Sequence, residues 1–447
     1  MAFWRLMQWD FVMLWRSGAA AATILVLLAA AGLASYTGLA QQAAHRAAVT
    51  QAAATAAQAA APNAMLSPHS IQLRIMSEEP PLIDFASGRA GLDPILGEAT
   101  PLTPLHRVFE NYQVDNPVRL ALARFDYVFL LTVIAPLILI ALTAGLLGEE
   151  QRTGRLALLL AQGATPGRIV LARVMARTLL VAAPLAVALG LQASFGGGIG
   201  GERGVAIAVF VAAAALGLLI WAGVCVLVNN LVKSGAAAAA ALFAAWLILA
   251  AAGPSAISAA AQTLAPSPSR LALLADARAA EIAAVQDAET LAQAYLNDHP
   301  ELEQGDFDVP AWAKSRFVVA QSIDAAVAPL RLDFEASLSR QIAFAQALQG
   351  VSPTLAQSIA MTEAADVGAG AALRRQAEAQ AHVAGFRTAM GAYLMGARGV
   401  PPTEATTWEQ ARLTTASPVP WASLAWLSLW AAAVWIGAAA ALRRGRA

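Results

Sequence analysis

Six stretches of this chain run for roughly 20 residues or more without a single Asp, Glu, Lys or Arg, about the length an α-helix needs to cross a bilayer. They are Gly18 to Ala40, Tyr127 to Leu147, Thr178 to Gly200, Gly204 to Val228, Gly235 to Ala261 and Val419 to Leu442. A soluble fold would have nowhere to put them. Of the 447 residues, 58% are hydrophobic and 13% charged, whereas a soluble domain averages about 45–50% and about 25%. In hydrocarbon every backbone polar group must be satisfied internally, so the spans are helices and the fold class is that of an all-α integral membrane protein with six transmembrane helices. The fifth run is the weakest, because Gly253-Pro254 interrupts it and the span could stop near Ala252.

Orientation follows from Lys and Arg, which concentrate on the cytoplasmic side of short connections. With the amino terminus inside, the inner segments hold Arg5, Arg16, Arg152, Arg155, Arg168, Arg173, Arg177, Lys233, Arg443, Arg444 and Arg446. An even number of spans then returns both termini to the cytoplasm. The resulting order is an elbow helix over 1–17; spans over 18–40, 127–147, 178–200, 204–228, 235–261 and 419–442; a first extracytoplasmic segment over 41–126; a cytoplasmic coupling loop over 148–177; a helical extracytoplasmic domain over 262–418; and a cytoplasmic tail over 443–447.

The first run could be a signal peptide, but the stretch before it is too long and too aromatic for a signal n-region. Arg5, Gln8 and Arg16 share one face of a helix, and Trp4, Trp9, Phe11 and Trp15 supply interfacial bulk, which reads as an amino-terminal interfacial elbow helix on membrane lipid; Asp10 lies off that polar face. Of the outer segments, Gln41 to Ala61 could extend the first span, and Ile71 to Ile75 is one possible strand. Helices are predicted near Arg270 to Asn297, Ala311 to Leu348 and Pro353 to Arg398, which favours an all-α extracytoplasmic domain. Nearly all acidic residues fall in these outer segments, a bias that suits either a cationic periplasmic partner or a solvated surface.

The segment from Gly148 to Arg177 carries the chemistry. It holds Glu149 and Glu150, then Arg152, Gly154, a Leu156 to Leu160 block, a break at Gly163 to Gly167, and Arg168 and Arg173. Leu156, Leu159 and Leu160 form an i, i+3, i+4 stripe able to pack on the membrane domain or enter a partner's groove. Any basic loop between two spans would share some of these features. At the entrance to the second run, Asp126 stands where a carboxylate caps free N–H groups and complements the positive end of the helix dipole. Pro136 within that run predicts a kink.

This loop resembles the first cytoplasmic loop of ABC-2 type transporter permeases, in the branch with a large extracytoplasmic insertion before the last span. Glu150, Gly154, Leu156, Leu158, Leu159 and Leu160 match the family pattern, and Arg173 takes the usual place of Lys. Arg152, Arg155 and Gly163 depart from it. Asp115 to Leu131, with Asn116-Pro117 and Phe125-Asp126, also looks like the family's entrance to the second span.

The resemblance implies a permease subunit in a bacterial inner membrane, working as a homodimer or beside a similar permease. Its partner would be an ABC ATPase in two copies, which would hold the ATP and Mg. On that reading Glu149, Glu150, Arg152, Gly154, Leu156, Leu159, Leu160, Arg168 and Arg173 couple to the ATPase. The chain has no GxxxxGK phosphate loop and is not the hydrolysing part. An ATPase-linked mechanical coupler or sensor without transport would use the same loop.

An enzyme reading finds little support. His45, His69, His106, His299 and His382 are scattered without metal-ligand spacing, and Cys225 is the only cysteine, so no metal or cofactor site is predicted. Zero net charge gives no attraction to nucleic acid. Gln192, Ser194 and Asn229 are the chief polar residues expected inside the spans, a sparse set that suits hydrophobic or amphipathic cargo better than small ions.

Overall fold

The computed structural model describes residues 3–59, 65–88, 95–108, 125–146, 154–232, 234–267, 269–300, 307–416 and 418–444. Helix α1 (Phe3–Arg16) leads into α2 (Ala19–Ala59), one 41-residue helix about 60 Å long, twice the thickness of a bilayer core. The Ala/Gln stretch therefore prolongs the first apolar run as a single rod. Helices α3 (Tyr127–Thr143), α4 (Arg155–Ala161), α5 (Pro166–Phe195), α6 (Gly201–Leu231) and α7 (Gly235–Leu264) follow.

The later part comprises α8 (Arg270–Gln286), α9 (Ala288–Asp298), α10 (Ala311–Ala347), α11 (Pro353–Ala364), α12 (Ala369–Met395), α13 (Pro402–Trp408) and finally α14 (Trp421–Arg444).

Among the described residues five helices are long and apolar enough to cross a membrane, not the six expected: α2, α5, α6, α7 and α14. The remaining run, α3, is shorter. It ends at Thr143 because Ala144 is extended and Gly145 takes φ +72, a left-handed conformation that breaks the helix. Helix α5 begins well before Thr178, so Arg168, Arg173 and Arg177 ride on its first turns and not on a loop. Helix α7 does not stop near Ala252; it continues past Gly253-Pro254 to Leu264.

The two prolines expected to disturb spans do so in the same manner. Pro136 follows a π-helical turn over Leu130–Ile134, and Pro254 follows another over Leu247–Ala252. A proline has no N–H for the carbonyl four residues back, and the widened turn re-arranges the ladder around that gap. Side chains attend both turns: Trp246 Nε1 donates to the Val133 carbonyl at 3.3 Å, and Ser352 Oγ donates to the Leu249 carbonyl at 2.6 Å.

The later domain is not all helical. Strands β1 (Leu73–Ser77), β2 (Leu96–Ala99) and β3 (Gln410–Leu413) form a sheet in the order β2-β1-β3, with β1 antiparallel to β2 and parallel to β3. Leu73 pairs with Ala99 and Ile75 with Ala411. Leu73 and Ile75 pack with Val383, Phe386 and Met390 of α12, so one strand face finds its core on a helix far along the chain. The strand expected near Ile71 to Ile75 is present as β1. Strands β2 and β3 were not expected, since each is only four residues long and β3 pairs with a segment far away in the chain, so the domain is mainly helical and not all-α.

One helix of this domain lies elsewhere. Ala356, Ala360 and Met361 of α11 are fully buried in the same apolar cluster as Leu27, Leu139, Val181, Phe210, Trp221 and Leu427 of the apolar helices. Helix α11 thus re-enters the bundle and is not an outer surface element.

The end of the bundle nearest this domain is fastened by charge. Asp84, with no exposed surface, takes Arg203 of α6 through two contacts of 2.9 Å, and Gln192 of α5 donates to its carbonyl and carboxylate at 3.0 and 3.1 Å. The Arg203 guanidinium also bonds the carbonyls of Pro81 and Gly198 and lies 5.7 Å from the centre of the Phe85 ring. Gly38 and Gly196 are required here, because a Cβ on either would collide with Asp84. Nearby, Asp126 accepts from Phe129 N–H at 2.9 Å as the N-cap of α3, and from Ser87 N–H at 2.8 Å.

Candidate functional site

The opposite end of the bundle is built around α4. Gly154 precedes it with φ +71, and Gly163 closes it with φ +77 while Gly163 and Ala164 donate N–H groups back to Leu160 and Leu159. Glycine at both positions meets the left-handed geometry that such a short helix needs at its ends. Thr165 then caps α5, accepting from Arg168 N–H at 3.4 Å, and Pro166 opens the new helix at a position that has no carbonyl to serve.

The expected leucine stripe splits into two faces. Leu159 is 8% exposed and packs with Leu6 and Met7 of α1 and Ile169, Ala172 and Ala176 of α5, with Leu156 beside them. Leu160 turns the other way. It is 41% exposed, and Leu158 is 67% exposed. Ala157 and Ala161, also exposed, fall between these leucines on the helical wheel, so among the described side chains of α4 the free surface is apolar.

Helix α1 is what holds α4 in place. Asp10, 1% exposed, sits 3.5 Å from Arg173 and 3.1 Å from Arg177, both on α5. Arg177 donates as well to the Leu142 carbonyl at the end of α3, and the Arg173 guanidinium lies 5.3 Å from the centre of the Trp9 ring. Among the described residues one carboxylate thus serves two guanidiniums.

Of the residues singled out in the sequence, Gly154, Leu156, Leu159, Leu160, Arg168 and Arg173 come together at this end, while Glu149, Glu150 and Arg152 lie outside the described residues. Arg173, expected to couple to the ATPase, is buried against Asp10 and Trp9; burial of a guanidinium demands a carboxylate, and α1 supplies it. Leu159 is likewise interior. Asp10, Trp9 and Arg177 were missed. Their signal was present in Asp10, the sole acidic residue of α1 and the one that departs from its polar face.

Gln192, Ser194 and Asn229 do not line a path. Gln192 is committed to Asp84, Ser194 to the Gly190 carbonyl, and Asn229 to the Cys225 carbonyl and the Leu146 N–H. At this end Gly167 admits Leu442 of α14, whose side chain would lie 2.6 Å from a Cβ there.

The architecture agrees with a family match over more than half the chain: the model of the ABC-2 family transporter protein covers residues 4–293. The chain belongs to the ABC-2 transporter family. Residues 270–412, from α8 to β3, match a domain of unknown function (DUF3526). No curated protein and no solved structure matches the chain. This ABC-2 protein is therefore a multi-pass membrane permease subunit with an additional domain before its last apolar helix, and α11 belongs to that domain by sequence.

Proposed function

We propose that this ABC-2 permease subunit couples ATP hydrolysis on a separate ABC ATPase to movement of a substrate across or out of a bacterial inner membrane, and that the exposed face of α4 is where the ATPase docks. The observation that carries this reading is the split of the leucines. Leu159 is locked to α1 and α5 while Leu158 and Leu160 stand free, so a push on the outer face passes directly into α5. An apolar face held out from a membrane protein by a rigid mount marks an interaction site.

On this reading the α4 end is cytoplasmic, both termini lie inside, and α1 rests as an elbow on the inner leaflet with Trp4 and Trp15 exposed to lipid headgroups. Two ATPase copies and a second permease, identical or similar, complete the transporter, and ATP and Mg reside on the ATPase. The chain itself does no covalent chemistry. Because Gln192, Ser194 and Asn229 are committed to Asp84 and to backbone groups, the cargo is hydrophobic or amphipathic.

The test is co-purification of the full chain with its ATPase from native membranes, followed by hydrolysis measurements. Leu158→Asp should abolish capture of the ATPase while the protein stays folded and inserted. Capture and hydrolysis equal to the unmodified protein would refute docking at α4.

A further inference from the structure

The segment from Gln349 to Val367 is part of the additional domain by sequence, yet its entry and its middle are gripped by the spans. At its entry Ser423 Oγ donates to Gln349 Oε1 at 2.6 Å, Trp430 Nε1 donates to the Gly350 carbonyl at 2.8 Å, and Ser352 reaches the Leu249 carbonyl. Trp426 lies against Gly350 so closely that a Cβ there would meet its ring at 2.7 Å. In the middle, Gln357 lies against Gly217 of α6, where a Cβ would collide with its amide. Helix α11 also packs against the π turns of both α3 and α7.

Its exit is held from the other side. Asp366 has φ +54, a conformation rare for a residue with a Cβ, and its buried carboxylate takes Arg374 and Arg375 on the first turns of α12. The Asp366 backbone carbonyl accepts from Arg375 as well, at 3.0 Å. The 37-residue α10 leads into this segment and the 27-residue α12 leads out of it, so the longest helices of the domain meet at its two ends. A π turn holds one residue more than the α ladder it interrupts, and closing or moving it rotates the rest of the helix by about 100°.

We propose that Gln349 to Val367 is a lever: a shift at either π turn passes through α11 and the Asp366 joint into α12, so the spans and the additional domain change conformation together. A domain joined to the spans only by chain connections would move independently of them. This one has its own helix wedged among four spans. The coupling concerns the spans and the domain alone and holds whichever partner drives the spans.

The test is amide hydrogen exchange on the full chain in lipid nanodiscs. Trp430→Phe removes one pin inside the bundle and keeps a ring in its place. Exchange over 369–383 at the start of α12 should rise about fivefold, the loss of one hydrogen bond, while α8 stays unchanged. Asp366→Gly relieves the left-handed joint and removes the carboxylate that takes Arg374 and Arg375, leaving only the backbone-carbonyl contact of Arg375; in that background Trp430→Phe should add far less to exchange in α12. If Trp430→Phe fails to insert, Ser423→Ala removes the neighbouring pin on Gln349 with little change of volume and is read in the same way. An α12 that ignores both pin variants, or that answers equally with Asp366→Gly present, would overturn the lever.

Discussion

The two ends of the bundle are fastened by the same device used in different proportions. At the α4 end Asp10 holds Arg173 and Arg177, with Trp9 under one guanidinium; at the other end Asp84 holds Arg203, with Phe85 in the equivalent place. Each aspartate is essentially without exposed surface. The Asp84 lock pairs one charge with one among the described residues, and Gln192 and the carbonyls of Pro81 and Gly198 consume its remaining polar capacity. Among the described residues the Asp10 lock sets one carboxylate between two guanidiniums, and it sits beside an exposed apolar face. A closed lock fixes geometry, whereas the Asp10 one fixes a mount and leaves the mounted surface for something else to cover.

The sharpest way to break this comparison is to remove one partner at each end. Arg203→Ala strands a fully buried carboxylate and should cost about 3–5 kcal/mol of stability, seen as lost monodispersity and a lower unfolding midpoint in detergent. Asp10→Ala removes the carboxylate between two guanidiniums, of which Arg177 keeps its bond to the Leu142 carbonyl and Arg173 its contact with Trp9, so about 2–3 kcal/mol is expected from the same measurement. Arg177→Ala should be milder still, about 1 kcal/mol, because Asp10 retains Arg173. Equal losses for Arg203→Ala and Arg177→Ala would show that the two locks do not differ in the way their stoichiometry suggests.

On the open face the expected sign changes from stability to binding. Leu158→Asp should change stability by no more than about 0.5 kcal/mol, whereas Leu159→Asp buries a charge in the α1–α5 contact and should destabilise the α4 end severely.

The smallest effect concerns pH at the outer collar. Burial pushes the Glu79 carboxyl up, but its hydrogen bonds from Arg46 and Gln42 outweigh that and hold it below its ordinary value of 4.5. Gln42 also donates to the Gly196 carbonyl at 2.9 Å, so the contact ties α2 to the end of α5. Because the folded carboxyl is the stronger acid, its contribution is complete above about pH 4.5 and fades as pH falls through the lower folded value. Thermal melts from pH 7 to pH 3 should show a drop below pH 4.5 that Glu79→Gln lacks.

The spans were legible because hydrocarbon permits little besides long uncharged helices, and Asp126 because a cap acts on its own next three residues. The limits of α4 were also written locally, in Gly154 and Gly163. What the sequence hid were relations between distant segments. Asp84 and Arg203 meet across a long separation in the chain, and nothing local to either announces the pairing. Helix α11 is short and carries Gln357, Ser358 and Thr362, so neither its length nor its composition marks it as part of the bundle. The stripe of Leu156, Leu159 and Leu160 was visible, but which leucine faces outward depends on where α1 lies, and that is settled by Asp10.

The central claim, that α4 presents Leu158 and Leu160 to an ATPase while keeping Leu159 for itself, is most directly tested with a photo-reactive amino acid placed at position 158 or 159 of the full chain in its native membrane. Irradiation should join the ATPase to the protein labelled at 158 and give only intramolecular products at 159. ATPase captured equally from both positions, or from 159 alone, would contradict the account.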